Sequence, residues 1–463
     1  MSAASSQATD APGTDSRATH SRATGSPATR AVATPRGTLH AVVSDGVLRA
    51  LGVPYARAER YAVAEPVRLN EPYLADTPAP AAPQPITPVA HDVLGGGRER
   101  LVISEDCLRL SVTAPEDAVP GEDLPVMVWL HGGSYVGGAG DMPIYDPAPL
   151  VRQERVVVVS VTFRLGVLGY LGFGGGPANL GLLDQIEALR WVRDCVAGFG
   201  GDPACVTVFG QSAGGDSAAH LMIAAGARGL LRRVIVQSAP LGIVTGREPM
   251  YRAMLRAAGT PQPGEDLEAV LRRQARASTA GFLTAGGLRG GMPFGLRYGH
   301  RPLPAERDRE AAWRAVAPQI DLMIGNTTQE AALFTRGRSG RDWILTEGGL
   351  IEWSTRRIYA DGADHLAGLH REAGGNAVRY LLDWRPQGTL LGARHNSDLP
   401  LLLGTPQAWE GALLIGATPP EELERLAALM RAVWAQFART GGVSQETAQA
   451  AAEILTLTSR VEN

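Results

Sequence analysis

The sequence predicts an α/β fold, a mostly parallel central sheet flanked by helices, and three observations predict it. Short β-branched runs alternate with helical patterns from Gly37 onward, the signature of repeated β–α–β units. A glycine-rich turn carrying a serine joins one strand to a helix, and a glycine pair ends another strand.

In chain order, residues 1–36 come first. They are Ala, Ser, Thr, Pro, Gly and Arg with almost nothing large and apolar. Such a stretch buries too little surface to offset its ordering entropy and is expected to be a disordered tail. The remainder, 37–463, is expected to form one domain. Strands are predicted over 126–130, 155–161, 205–209, 233–237 and 321–324. A helix is predicted over about 182–196, where Leu183, Ile186, Leu189 and Val192 recur at helical spacing. A later helix should be N-capped by Thr418, with Pro419 in its first turn and Glu421 closing a capping box. Its stripe of Leu423, Leu426, Met430, Val433 and Phe437 reads as core.

Composition narrows the function. The formal net charge of −3 gives no electrostatic reason to expect nucleic acid or an anionic membrane as partner. All 44 basic residues are arginine. The longest strongly apolar run, Val156 to Val159, is far short of the roughly 20 residues a membrane span needs. No apolar signal segment opens the sequence. Three cysteines, Cys107, Cys195 and Cys205, argue against a disulfide framework. A cytoplasmic protein with three free thiols is the expectation.

The chemistry centres on Gly210-Gln211-Ser212-Ala213-Gly214-Gly215. Alone, G-x-S-x-G is weak, because a glycine-rich β–α turn with an incidental serine reads the same. Here the motif follows the apolar run Val206 to Phe209 and precedes a helix expected over about 214–224, the setting of a nucleophile elbow. An attacking serine also needs donors for the oxyanion it creates. Trp129-Leu130-His131-Gly132-Gly133-Ser134-Tyr135 supplies them: a strand ends in glycines that let backbone N–H groups approach a substrate oxygen. We assign Gly133, Ser134 and Ala213 as donors and Gly132 as the shaper of the turn. A dinucleotide loop is the competing reading of these glycines, but the G-x-G-x-x-G spacing is not met.

With these motifs in place the chain resembles the type B carboxylesterase family, which includes cholinesterases and bacterial para-nitrobenzyl esterases. The likeness is carried by Gly52-Val53-Pro54-Tyr55-Ala56, Ser104-Glu105-Asp106-Cys107-Leu108 and the glycine loop. It continues through Asn179-Leu180-Gly181-Leu182-Leu183-Asp184-Gln185, Phe199-Gly200-Gly201-Asp202-Pro203, the elbow and Val236-Gln237-Ser238. It spans about 32–440 and implies an α/β-hydrolase fold acting on small carboxylic esters without a cofactor or metal.

The resemblance also implies the rest of a triad. Gly325-Asn326-Thr327-Thr328-Gln329-Glu330 matches the segment carrying the family's acid, and Gly392-Ala393-Arg394-His395-Asn396-Ser397-Asp398-Leu399-Pro400 the segment carrying its base. Glu330 and His395 are thereby implied as partners of Ser212, in the Ser…Glu…His order of this fold. Ser238 is implied as a support for the acid. Three departures stand out. Ala82 occupies the place of the cysteine that pairs with the Cys107 position in oxidised members. Gln211 precedes the nucleophile where Glu is commoner. The stretch between Glu330 and His395 is short, which implies a reduced cap region. Two other readings stay open: a biosynthetic acyltransferase, cyclase or lyase on the same fold and triad, and a catalytically dead binding protein, which the intact set disfavours.

Overall fold

The computed structural model describes residues 28–85, 101–334, 349–389 and 392–458. The tail expected over 1–36 lies outside the described residues up to position 27. Its boundary needs correction, because residues 29–34 of that stretch already form a strand. Thr29–Thr34 is strand β1, paired antiparallel with β2 (Gly37–Ser44) across the two residues Pro35 and Arg36. Composition hid it, for only Val32 of β1 is buried. What fixes the hairpin is Arg36, whose buried guanidinium bonds Glu187, Asp194 and the carbonyl of Tyr55.

The strands continue as β3 (Val47–Pro54), the short β4 (Ala56–Arg57) and β5 (Glu65–Pro66), and β6 (Tyr73–Ala75). Next come β7 (Arg109–Pro115), β8 (Leu124–Leu130), β9 (Val157–Val161), β10 (Gly201–Gln211) and β11 (Arg233–Gln237). Then follow β12 (Asp321–Thr327), β13 (Ala377–Leu382) and β14 (Leu455–Thr458). The large sheet runs β1-β2-β3-β7-β9-β8-β10-β11-β12-β13-β14, with β6 beside β2. From β9 to β13 every pairing is parallel, and antiparallel strands flank that block on both sides. Parallel strands covered on both faces bury both sets of alternating side chains. In β8, Val126, Val128 and Leu130 enter one core layer while Met127 and Trp129 enter the other.

The helices that matter here are α1 (Ala148–Glu154), α2 (Leu180–Cys195), α3 (Ala213–Leu221), α4 (Glu248–Ala258) and α5 (Leu267–Ala285). After them come α6 (Arg309–Val316), α7 (Asp361–Glu372) and α8 (Pro420–Thr440). Two local expectations change. Arg155 is not in β9 but is the left-handed cap of α1, with φ of 48°. Thr418 does not cap α8: Pro419 takes that place without a side-chain bond, and the Thr418 hydroxyl accepts from the Gln387 N–H. The apolar stripe of α8 is buried as expected.

Between β11 and β12 the chain makes a helical insertion containing α4, α5 and α6. It is fastened by arginines rather than by strand pairing. Arg247 donates to the carbonyls of Met292, Pro293 and Phe294, Arg273 to those of Ala258 and Gly259, and Arg297 to that of Leu171. No described helix is long and apolar enough to cross a membrane.

Candidate active site

Each predicted site residue except His395 lies on, or just past, the C-terminal end of a parallel strand, and His395 folds back onto one of them. Ser212 follows β10 and precedes α3 with φ of 57° and ψ of −119°, a conformation side chains rarely adopt. Two bonds hold it there. Its N–H donates to the carbonyl of Gln237 at 2.8 Å, and its carbonyl accepts from Asp216 at 2.9 Å. Gly214 has to be glycine, since a Cβ there would lie 2.0 Å from the carbonyl oxygen of Leu130. That close approach lets α3 begin directly under the serine.

Glu330 follows β12 and is fully buried. Its Oε2 accepts from His395 Nδ1 at 2.5 Å and its Oε1 from the N–H of Thr327 at 2.7 Å. With Nδ1–H facing the carboxylate, Nε2 carries the free lone pair. That nitrogen lies 3.3 Å from the side-chain nitrogen of Gln211, the residue preceding Ser212, so it sits at the elbow. Ser212 Oγ makes no hydrogen bond to the ring. The Gln211 amide occupies the Nε2 lone pair instead, which is the one respect in which the expected serine–histidine–glutamate chain is left open.

The loop after β8 supplies the donors. Gly133 has φ of +110°, and a Cβ on it would lie 2.1 Å from the carbonyl oxygen of Gly137. Ser134 and Tyr135 follow with φ of 54° and 62°. Gly132 packs against the elbow, its position 3.3 Å from Ser212 Cβ once a Cβ is built. Among the described residues nothing accepts from the N–H groups of Gly133, Ser134 or Ala213. Three donors with no protein acceptor beside the elbow serine can receive a developing oxyanion.

Ser238 does not support the acid by a hydrogen bond. It sits at φ of 49° with its N–H on the carbonyl of Gly325, and its buried hydroxyl has no partner. The Thr327 N–H does that work, a contact invisible in sequence because it comes from the main chain. Other neighbours also lacked an early signal. The ring of Tyr359 lies 5.1 Å from that of His395, and the exposed Phe334 flanks it at 5.4 Å. Tyr135 donates to the buried Asp216 at 2.6 Å, tying the loop after β8 to α3. Asp398 did have a signal, since it lies in the histidine motif. It accepts from Gln237 at 2.6 Å, and burial, with the nearby Glu330, pushes its carboxyl up to about 6. Burial pushes His131 the other way, down to about 4, so it stays neutral across the range in which a histidine base works.

The three cysteines are free, as expected. Cys107 is buried among apolar groups, which pushes its thiol up to about 12 and leaves it inert.

Comparison with known proteins bears on the family. A family model described as "Carboxylesterase family" matches residues 30–345. A probable N-octanoylanthranilate hydrolase of Rhodococcus erythropolis is 36% identical over 89% of this chain and 93% of its own. The para-nitrobenzyl esterase of Bacillus subtilis is 30% identical over 90% and 91%. The solved structure of a thermophilic PNB esterase superposes with a TM-score of 0.76 at 28% identity, covering 90% of this chain and 92% of the other.

Proposed function

Because the chain belongs to the carboxylesterase family and hydrolyses carboxylic esters as a serine hydrolase, we propose that Ser212 is its nucleophile, His395 the general base and Glu330 the acid that orients the base. The observation that carries this reading is the 2.5 Å bond from His395 Nδ1 to a fully buried Glu330, with Nε2 turned to a strained elbow serine. Ser212 Oγ attacks the ester carbonyl as Nε2 takes its proton. The oxyanion is received by the N–H groups of Gly133, Ser134 and Ala213, and the alcohol leaves with the proton. Water then repeats the cycle on the acyl-enzyme. For Ser212 to reach Nε2, the Gln211 amide gives up the lone pair it holds at rest.

Labelling tests this directly. A fluorophosphonate should add once per chain, on the peptide carrying Ser212, and Ser212→Ala should lose both label and turnover. Label on another residue, or an active alanine variant, would remove the assignment. Transfer, cyclisation and lyase chemistry are disfavoured by hydrolase relatives that span nearly the whole chain.

A second, narrower reading concerns substrate. The Rhodococcus relative is named for N-octanoylanthranilate, an acyl group on a carboxylated aromatic amine. At 36% identity over 89% of the chain, acyl derivatives of carboxylated aromatics are a reasonable substrate class here too. The chain from Gly37 onward is read as one hydrolase domain working on small molecules in the cytoplasm.

A further inference from the structure

We propose that a cleft on the turn at Gly242 and Ile243, flanked by Arg289 and Arg357, binds a carboxylate carried by the substrate; this rests on the ester-hydrolase reading above. The cleft has a volume of about 320 Å³, within the range of small-molecule sites. Its walls are Ile243, Leu288 and Ala285 with the two arginines, and no acidic residue lines it. Among the described residues neither guanidinium has an ion-pair or hydrogen-bond partner, and Nε of Arg289 is buried without one. Several buried arginines elsewhere in the fold are neutralised instead. Arg36, Arg164, Arg273 and Arg297 all meet carboxylates. A guanidinium cannot shed its proton, so two of them facing one cleft leave positive charge that a bound anion would neutralise. The guanidinium fork matches a carboxylate in two parallel bonds, and the apolar walls suit the carbon skeleton attached to it.

Two chain segments link the cleft to the reacting atoms. Gly242 and Ile243 come four and five residues after Ser238, a span of about 13 Å to Gly242 at full extension. The turn they form packs backbone to backbone on the segment Arg356–Ala360, since a Cβ on Gly242 would lie 1.8 Å from the carbonyl oxygen of Arg357. Two residues on from Arg357, Tyr359 lays its ring against that of His395. The cleft is therefore placed to hold a remote part of a substrate whose carbonyl is at Ser212.

A matched ester series tests this on the full-length protein. Its members are meta-octanoyloxybenzoate, the methyl ester of that acid, and the octanoate of meta-trimethylammoniophenol. These differ in the charge on one phenol. The carboxylate should exceed its methyl ester in kcat/KM by about tenfold, chiefly through KM, with the cation poorest and the preference shrinking in salt. Arg289→Gln and Arg357→Gln should each cut that ratio at least about threefold, and the double variant should abolish it. Methyl-ester turnover should stay at the wild-type level, which also shows that each variant is folded. Arg289→Lys, which keeps the charge but not the fork, should retain part of the preference. A wild type that favours the methyl ester, or variants with an unchanged ratio, would overturn the cleft while leaving the esterase intact. No turnover of any of the three esters would overturn the hydrolase reading, and this inference with it.

Discussion

The two halves of the site are built by different physical means. On the sheet side the reacting groups are placed by the main chain. Ser212 is held between the carbonyl of Gln237 and the N–H of Asp216, and the donor loop turns through consecutive positive φ values at Gly133, Ser134 and Tyr135. On the insertion side, position is set by side chains, with Arg247, Arg273 and Arg297 gripping carbonyls of loops that have no strand to pair with. Backbone register tolerates substitution except where, as at Gly133 and Gly214, a Cβ would collide with a carbonyl, whereas a guanidinium clamp is lost with any change of its arginine. The sheet side thus depends on a few glycines and the insertion on a few arginines.

Breaking the sheet side should cost most in rate and little in stability. Glu330→Gln should lower kcat by about 10⁴-fold with the melting temperature nearly unchanged, because an amide can hold the ring but cannot stabilise imidazolium. A variant within tenfold of wild type would show that the carboxylate is not the orienting group.

Beneath the triad, the effect is on stability and depends on pH. The Asp398 carboxyl is raised by burial to about 6 from an unfolded value of about 3.9. A raised acid contributes stability that is fully present below the unfolded value and lost as pH rises through the folded one. Asp398→Asn, which keeps the acceptor for Gln237, should match wild type near pH 4. It should exceed it by up to about 3 kcal/mol at pH 8, by denaturant unfolding. A difference that does not change with pH would contradict a buried ionising group.

The insertion should respond in the opposite sense from Glu330. Arg247→Met removes the shared donor of three carbonyls and should cost about 2 kcal/mol of stability. KM should rise while kcat stays close to wild type. A large fall in kcat would erase the distinction between the halves.

Finer effects probe the sheet side alone. Tyr135→Phe leaves Asp216 without its shortest donor and loosens the donor loop, so kcat should drop about tenfold at unchanged KM. Affinity for a trifluoromethyl ketone, which mimics the tetrahedral intermediate, should fall in step. Gln211→Glu places a negative charge 3.3 Å from Nε2 and favours imidazolium, so the acidic limb of kcat/KM should move up by about one pH unit. An unmoved limb would mean the side chain turns away from the ring.

This division also explains what could be read from the sequence. The parallel strands and the elbow were legible because each lies in a short local pattern of turn glycines and apolar runs, whereas Glu330 and His395 were implied only by the family resemblance of the segments around them. Contacts joining distant positions were not legible. Thr327 reaches Glu330 through its main chain, Tyr135 meets Asp216 81 residues away, and Tyr359 arrives from a segment with no motif. The start of the body was missed because β1 has one buried side chain and its anchor, Arg36, reads as an ordinary charge. Thr418 has the letters of a cap, but Pro419 set the helix start one residue later.

The guanidinium clamps belong to a chain whose 44 cationic side chains are all arginine. A lysine amine, once deprotonated, captures activated acyl groups, whereas a guanidinium keeps its proton and does not. No side chain of this protein therefore offers a primary amine to an acyl donor diffusing from the site. Apart from the chain's α-amine, lasting acyl marks are confined to oxygen and sulfur atoms, and Cys107 is too buried to take part. A mass map of the spent protein would read as a sparse record of where acyl groups have been, free of lysine amides.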